Sequence, residues 1–532
     1  MNPARRRTTA PAATAGMRRR NLKRVLSLMA AAIVATLVLS GCVFSWSPPS
    51  SDTQKNSAGA DPSIVASAPK GLEEFYSQRV DWTSCEKGFQ CANIKVPLDY
   101  SKPDAGNITI AAIRLASKGT KKGSLLVNPG GPGASGYDFV KDAGQSHFTN
   151  KLRSNYDLVG FDPRGVKRSA PVKCLTDAER DANRQQNFRL DTDQGLDAAM
   201  ADNRNIITKC VDKTGPVLAH IDTQSAAKDL DVLRAVLNDA KLNYIGFSYG
   251  TFLGSTYASL FPDNVGRVVL DGAVDPSLSN EELTSGQAKA FEKAIHSYVA
   301  YCLNNAGCPL SGTVDDGVQQ IRDLIAAVDQ TPRRASDGRL VTGTAFVSGV
   351  ITPLYNNENW PVLTQALESA MQGDVTPMLR VADFAADRSP DGTYSSNSTF
   401  AFNSINCLDY PMVSDTASMR AEEARLKQDS PTFGYFFAYG GINCKEWPYK
   451  PVRTPGPAKY TGDSPIVVIG TTGDPATPVQ WASSLRDQLG KASLLTWKGE
   501  GHTAYGRSNS CVANAVDNYL VDGKVPSDKT TC

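Results

Sequence analysis

No feature of this sequence restricts its folding options more than a serine set between glycines where a strand meets a helix. Gly246-Phe247-Ser248-Tyr249-Gly250 follows the apolar run Leu242 to Phe247, which reads as a strand, and precedes Thr251 to Leu260, which reads as a helix. A turn this tight strains the serine backbone and brings the helix close to the sheet, so its neighbours must be small. Ser248 is the candidate nucleophile that such a turn presents.

The same alternation runs through much of the chain. Ile108 to Leu115, Ser124 to Asn128, Tyr156 to Phe161 and Val265 to Leu270 read as further strands, and Ala226 to Leu237 has leucines at helical spacing. Strands alternating with helices predict the α/β class with a largely parallel sheet. The rhythm is lost between Pro276 and about Tyr460, where Gln287 to Tyr298, Gly317 to Val328 and Trp360 to Met371 read as helices; it returns at Pro465 to Gly470 and Ala492 to Trp497. The simplest organisation is one α/β domain over residues 75–275 and 461–532, interrupted by a mainly helical insertion over 276–460 that roofs the sheet edge. Two consecutive unrelated domains are the alternative.

The N-terminus has a different character. Residues 1–41 carry eight Lys or Arg and no acid, which leaves 48 basic against 54 acidic residues in the remainder and argues against a nucleic-acid-binding body. Arg18 to Arg24 runs into the apolar stretch Val25 to Leu39, short for a membrane span and suited to an export signal. The small residues before Cys42 resemble a bacterial lipobox, which implies a lipid anchor on Cys42 and a chain held at a membrane; cleavage with free secretion is the alternative, and the arginine pair also permits a twin-arginine route. Residues 42–74, rich in Ser, Pro and Ala, read as a flexible tether.

Ten cysteines other than Cys42 suggest five disulfides in an oxidising compartment. Local spacing favours Cys85 with Cys91, Cys174 with Cys210, Cys302 with Cys308, Cys407 with Cys444 and Cys511 with Cys532, although spacing alone leaves connectivity open. The four histidines are scattered and show no metal-binding spacing, so no metal or other cofactor is expected.

A serine hydroxyl needs a base, and the base an orienting carboxylate. His502 lies in a loop just past the Ala492 to Trp497 strand, whereas His147 reads as part of a polar loop, His220 lies upstream of the serine strand and His296 lies in an expected helix. Asp474 follows the Ile466 to Gly470 strand, with Asp463 its nearest competitor. The order Ser248, Asp474, His502 is one of the known chain orders of such a triad. Asn128-Pro129-Gly130-Gly131-Pro132-Gly133 follows another strand, and its glycines allow a backbone amide to approach developing negative charge; the amides of Gly131 and Tyr249 are the expected oxyanion donors. Asp162 and Arg164 read as an ion pair shaping the pocket.

Together, Asn128 to Gly136, Gly160 to Gly165, Gly246 to Tyr257, Val269 to Gly272, the Asp474 segment and Gly501-His502 resemble the secreted actinobacterial tripeptidyl aminopeptidases and the related proline iminopeptidases. The likeness extends to Asn406 to Asp409 and Cys444. It implies an α/β-hydrolase fold with a large, mainly helical lid over 276–460, the triad Ser248, Asp474 and His502, and release of single residues or short peptides, tripeptides above all, from substrates with a free N-terminus. Asn128-Pro129 departs from the histidine that precedes the glycine pair in many iminopeptidases, which favours the broader aminopeptidase. Glu358, Asp409 and Glu446 are the lid acids expected to meet a substrate ammonium. An envelope esterase or lipase with the same triad is the runner-up, and an inactive solute-binding or structural lipoprotein is a third reading that leaves the ordered triad without an account.

Overall fold

The computed structural model describes residues 61–532; the basic leader and Cys42 lie outside the described residues. In chain order the strands are β1 (Thr83–Ser84), β2 (Gln90–Pro97), β3 (Asn107–Leu115), β4 (Gly123–Asn128), β5 (Tyr156–Phe161), β6 (Leu242–Phe247), β7 (Val265–Asp271), β8 (Arg333–Arg334), β9 (Leu340–Val341), β10 (Ile466–Gly473), β11 (Ala492–Glu500) and β12 (Thr530–Thr531). All but β8 and β9 join one sheet in the order β1-β2-β3-β5-β4-β6-β7-β10-β11-β12. The pairings from β1 to β5 are antiparallel and those beyond are parallel.

The sheet is buried on both faces, which is why its strands read as continuous apolar runs. Leu126, Tyr244, Val268 and Val468 belong to the core of one face, and Leu125, Ile245, Val269 and Val467 to that of the other, as the two-residue period of a strand requires. Chain order reverses at β4, which lies between β5 and β6, so ligands are expected beyond the C-terminal ends of β4 and β6.

Residues between β7 and β10 are mostly helical, with long helices at Asn280–Leu303 and Val314–Gln330. They carry their own core around Phe291, Ile295, Ile321, Phe346 and Leu363. The strands on either side of this segment are direct partners: Val268, Val269 and Leu270 of β7 align with Ile466, Val467 and Val468 of β10. All five cysteine pairs favoured by spacing are disulfides. Among the described residues no helix is long and apolar enough to cross a membrane.

Three expectations are corrected. The tether read over 42–74 includes folded chain at its end: Ile64 and Leu72 are buried, and the hydroxyl of Tyr76 just beyond donates to Asp231 at 2.7 Å. The apolar residues of this segment are too few and too irregularly spaced to show a periodic pattern, yet they pack into the core. Arg164 pairs with Asp229 at 2.7 Å rather than with Asp162, which holds Arg168 at 3.0 Å. His147 lies in an aromatic nest of Phe139, Phe148, Phe247 and Tyr505, and burial pushes its pKa down to about 4.

Candidate active site

Ser248 follows β6 and precedes the helix Tyr249–Leu260, with φ 55° and ψ −125°, a conformation rarely adopted by a residue with a side chain. The flanking glycines are required by close approach. A Cβ on Gly246 would sit 2.3 Å from the Gly250 carbonyl oxygen, and one on Gly250 would sit 2.7 Å from that of Asn128. The turn is further held by the Ser248 amide, which donates to the Asp271 carbonyl at 2.9 Å.

Asn128, the last residue of β4, aligns with Gly246, so the glycine-rich turn after β4 begins beside the serine turn. Gly130 and Gly131 have φ of 103° and 106°, and a Cβ on Gly130 would lie 2.9 Å from that of Ser248. The Asn128 side chain accepts the Gly130 amide at 2.9 Å, which secures this turn from below. Tyr249 begins its helix, where backbone amides have no partner within the helix.

Asp474 and His502 follow β10 and β11, and the register of Gly473 with Glu500 brings the two loops together. His502 Nδ1 lies 2.9 Å from both Asp474 carboxylate oxygens. Asp474 also accepts the amides of Ala476, Thr477 and Thr503 and the Thr477 hydroxyl, at 2.8 to 3.1 Å. So many donors hold the carboxylate in one fixed orientation. The His502 amide donates to the Tyr355 carbonyl at 2.7 Å, and the Tyr355 ring stands edge-on to the imidazole. His502 Nε2 is buried without a hydrogen-bond partner among the described residues.

A cavity of about 340 Å³ opens at Ser248, Gly131 and Tyr249. Its other walls are aromatic, including Phe402, Tyr410, Phe436 and Trp481, together with the amides of Asn280, Gln287, Asn403, Asn406 and Asn443. Among the described residues no charged side chain lines it. The three acids expected to anchor an ammonium are elsewhere. Asp409 is fully buried, accepts the Thr223 amide at 2.9 Å and the Thr223 hydroxyl, and has its pKa raised to about 7 by burial. Glu446 pairs with Arg204 at the surface, and Glu358 is exposed on a turn.

Thr477 and Asp271 are site neighbours that sequence reasoning missed as such. Thr477 lies 3.2 Å from His502 Nδ1 while bound to Asp474. Asp271 accepts the amides of Ala504 and Tyr505, just after His502. Its place at the end of β7, directly beside the serine strand, was the available signal. Among the described residues, no group of His, Cys, Asp and Glu could hold a metal ion.

Residues 123–344 match the family described as alpha/beta hydrolase fold, and residues 430–532 match that described as TAP-like protein. The serine protease Hip1 of Mycobacterium tuberculosis is 35% identical over 97% of this chain and 99% of its own. Carboxylesterase B of the same species is 36% identical over 93% of this chain and 96% of its own. A tripeptidyl aminopeptidase of Streptomyces lividans is 31% identical over 85% of this chain and 86% of its own. The fold and site are those of a serine hydrolase in the α/β class. The chain belongs to the α/β-hydrolase family that includes these three relatives.

Proposed function

We propose that the chain is a serine exopeptidase that releases short peptides, tripeptides in particular, from the free N-terminus of its substrates. Ser248 attacks the scissile carbonyl while His502 Nε2 takes the hydroxyl proton, and Asp474 holds the imidazole through Nδ1 and stabilises the imidazolium. The Gly131 and Tyr249 amides receive the oxyanion. His502 then gives its proton to the leaving amine, and a water activated by the same nitrogen releases the acyl group. The observation that carries this reading is the partnerless, buried Nε2 of an imidazole whose other nitrogen is fixed by Asp474.

The cavity chemistry supports a peptide with a free amine. Gln287 and Asn406 commit their NH2 groups to the carbonyls of Ala476 and Phe402, at 3.0 Å each, so the acceptor oxygens remain to meet a substrate's N–H groups. Aromatic walls add a favourable surface for an ammonium. The names of the Hip1 and tripeptidyl aminopeptidase relatives point the same way. An esterase is the second reading, favoured by the uncharged cavity and by the name of the carboxylesterase relative.

The decisive assay offers matched N-free and N-acetylated chromogenic peptides of one to four residues, and a short-chain ester, to the protein and to Ser248→Ala. Cleavage confined to N-free peptides and lost in the variant supports the exopeptidase; ester turnover alone transfers the assignment to the esterase. The five disulfides suit an oxidising, extracellular setting. The proposed location is the outer face of a membrane, with residues 1–41 as export signal and Cys42 as the lipidated residue, which metabolic labelling with a fatty-acid analogue in wild type and Cys42→Ala tests.

A further inference from the structure

The neutrality of the catalytic cavity contrasts with a second opening nearby. An open groove of about 540 Å³ runs along residues 167–175 and 394–400, lined by Lys167, Arg168, Lys173 and Arg180 and by no carboxylate. Lys167 and Arg168 are both held by Asp138. Arg180 is held differently. It is 8% exposed, its guanidinium lies 3.6 Å from the Tyr394 ring centre and 5.3 Å from that of Phe400, and Nη1 donates to the Ser396 carbonyl at 2.8 Å. No carboxylate forms an ion pair with it among the described residues. Asp177 and Asp387 act on it only from a distance, and a buried cation packed on aromatic faces without a direct ion pair has unspent capacity for an anion.

The groove adjoins the proposed oxyanion turn. Phe400 lines the groove and Phe402 and Asn403 line the cavity, all on the helix Ser398–Asp409, so this one helix borders both openings. A Cβ on Gly133 would lie 2.8 Å from the Ser398 carbonyl oxygen and 3.1 Å from the Ala401 side chain, which sets the glycine turn against the start of that helix. A leaving segment that follows this turn out of the cavity reaches the groove within a few extended residues, at about 3.3 Å each, and this is the path the inference below assumes.

We propose that this groove recognises a carboxylate on the leaving side of the scissile bond, either the C-terminal carboxylate of a short peptide or an acidic side chain, through Arg180 and Lys173. The proposal rests on the exopeptidase reading and adds a substrate preference to it: acidic or carboxyl-ended leaving segments over neutral ones.

The test measures kcat/KM for the full chain on peptides of four to eight residues with one N-terminal sequence, each ending in a carboxylate or an amide, and on amidated peptides with a single glutamate moved along the leaving segment. The expected result is a preference of about tenfold for the charged peptide at one length or position, carried by KM and reduced by about 0.5 M salt. The free-carboxylate and glutamate series separate the two sources of the anion. Arg180→Gln and Lys173→Gln should each weaken the preference while hydrolysing a chromogenic tripeptide, too short to reach the groove, at the wild-type rate. Lys173 is exposed, so its variant is informative even if the buried arginine proves necessary for folding. Equal rates for charged and neutral peptides at every length, or a preference untouched by both substitutions, overturns the groove assignment. Failure of the wild type to cleave the tripeptide overturns the exopeptidase reading instead.

Discussion

The carbonyl of Asp271 accepts the amide of Ser248, while the carboxylate of the same residue accepts the two amides of Ala504 and Tyr505. One buried residue at the end of β7 thus ties the serine turn to the loop that carries His502. Burial raises its pKa to about 6, in keeping with a buried carboxylate whose hydrogen-bond donors are backbone amides and which forms no salt bridge among the described residues. Asp271→Asn keeps one acceptor oxygen and turns an NH2 group toward donors. The expected outcome is a loss of about 1–3 kcal/mol in stability and a lower kcat, measured by denaturant unfolding and by chromogenic peptide hydrolysis. Wild-type stability and turnover in this variant would remove its positioning role.

Thr477 offers a finer test. Its hydroxyl bonds Asp474 at 3.0 Å and lies 3.2 Å from His502 Nδ1, so it limits how the imidazole can slide along the carboxylate. Thr477→Val keeps the shape and removes the hydroxyl. We expect kcat to fall about tenfold with little change in KM, and Thr477→Ser to restore most of it. A valine variant with unchanged kcat would show that the backbone amides on Asp474 suffice.

Much of this fold was legible because the sheet is covered on both faces. Tyr156–Phe161 and Leu242–Phe247 have the bounds read from the sequence, since a mainly apolar run followed closely by a proline or a glycine-flanked serine leaves little room for another register. The cavity was not legible. Its walls come from Asn280, Phe402, Asn443 and Trp481, which are far apart in sequence and share no spacing that periodicity could reveal. Charge was also a misleading guide to the lid: Asp409 stands beside a cysteine in a resembling segment, yet it is used internally to hold Thr223. The burial of Ile64 and Leu72 depended on a surface formed elsewhere in the chain.

The burial of Asp409 reverses the expected result of changing it. Asp409→Asn should alter KM for N-free peptides and for N-blocked esters by the same factor, because the side chain does not line the cavity. Its effect should appear in stability. The folded pKa of about 7 exceeds the ordinary carboxylate value, so the native state binds a proton that the unfolded state has lost, and this contribution fades as pH rises from about 4 to 7. Unfolding curves across that range should therefore show a shallower decline toward neutral pH in the variant. A rise in KM confined to N-free peptides would restore Asp409 as an ammonium anchor.

His147 has the opposite linkage. Its folded pKa of about 4 lies below the ordinary histidine value, so on acidification the unfolded chain takes up a proton first. Stability from this group is intact above about pH 6.5 and is lost as pH falls toward 4, with a slope of at most about 1.4 kcal/mol per pH unit. His147→Gln should unfold more easily at pH 7, because the aromatic nest loses its ring, yet show a flatter acid dependence between pH 6 and 4.5. Parallel slopes for the two proteins would mean that the ring is already charged in the folded state.

Cys407 and Cys444 join the helix Ser398–Asp409 to the turn Gly440–Cys444, and residues of both elements line the cavity beside Ser248. The bond therefore fixes two walls against each other across a separation of 37 residues. Chain-entropy arguments give such a closure about 3–4 kcal/mol. The double variant Cys407→Ser/Cys444→Ser should lose stability on that scale and show a higher KM for peptides, because Phe402, Asn406 and Asn443 no longer hold a common cavity. Cys302 and Cys308 close only a short loop with a separation of 6 and line no wall of that cavity. Removing this second pair should cost less stability and leave KM unchanged. Equal KM effects from the two disulfides would show that the cavity walls are held by packing and that the Cys407–Cys444 bond acts on global stability alone.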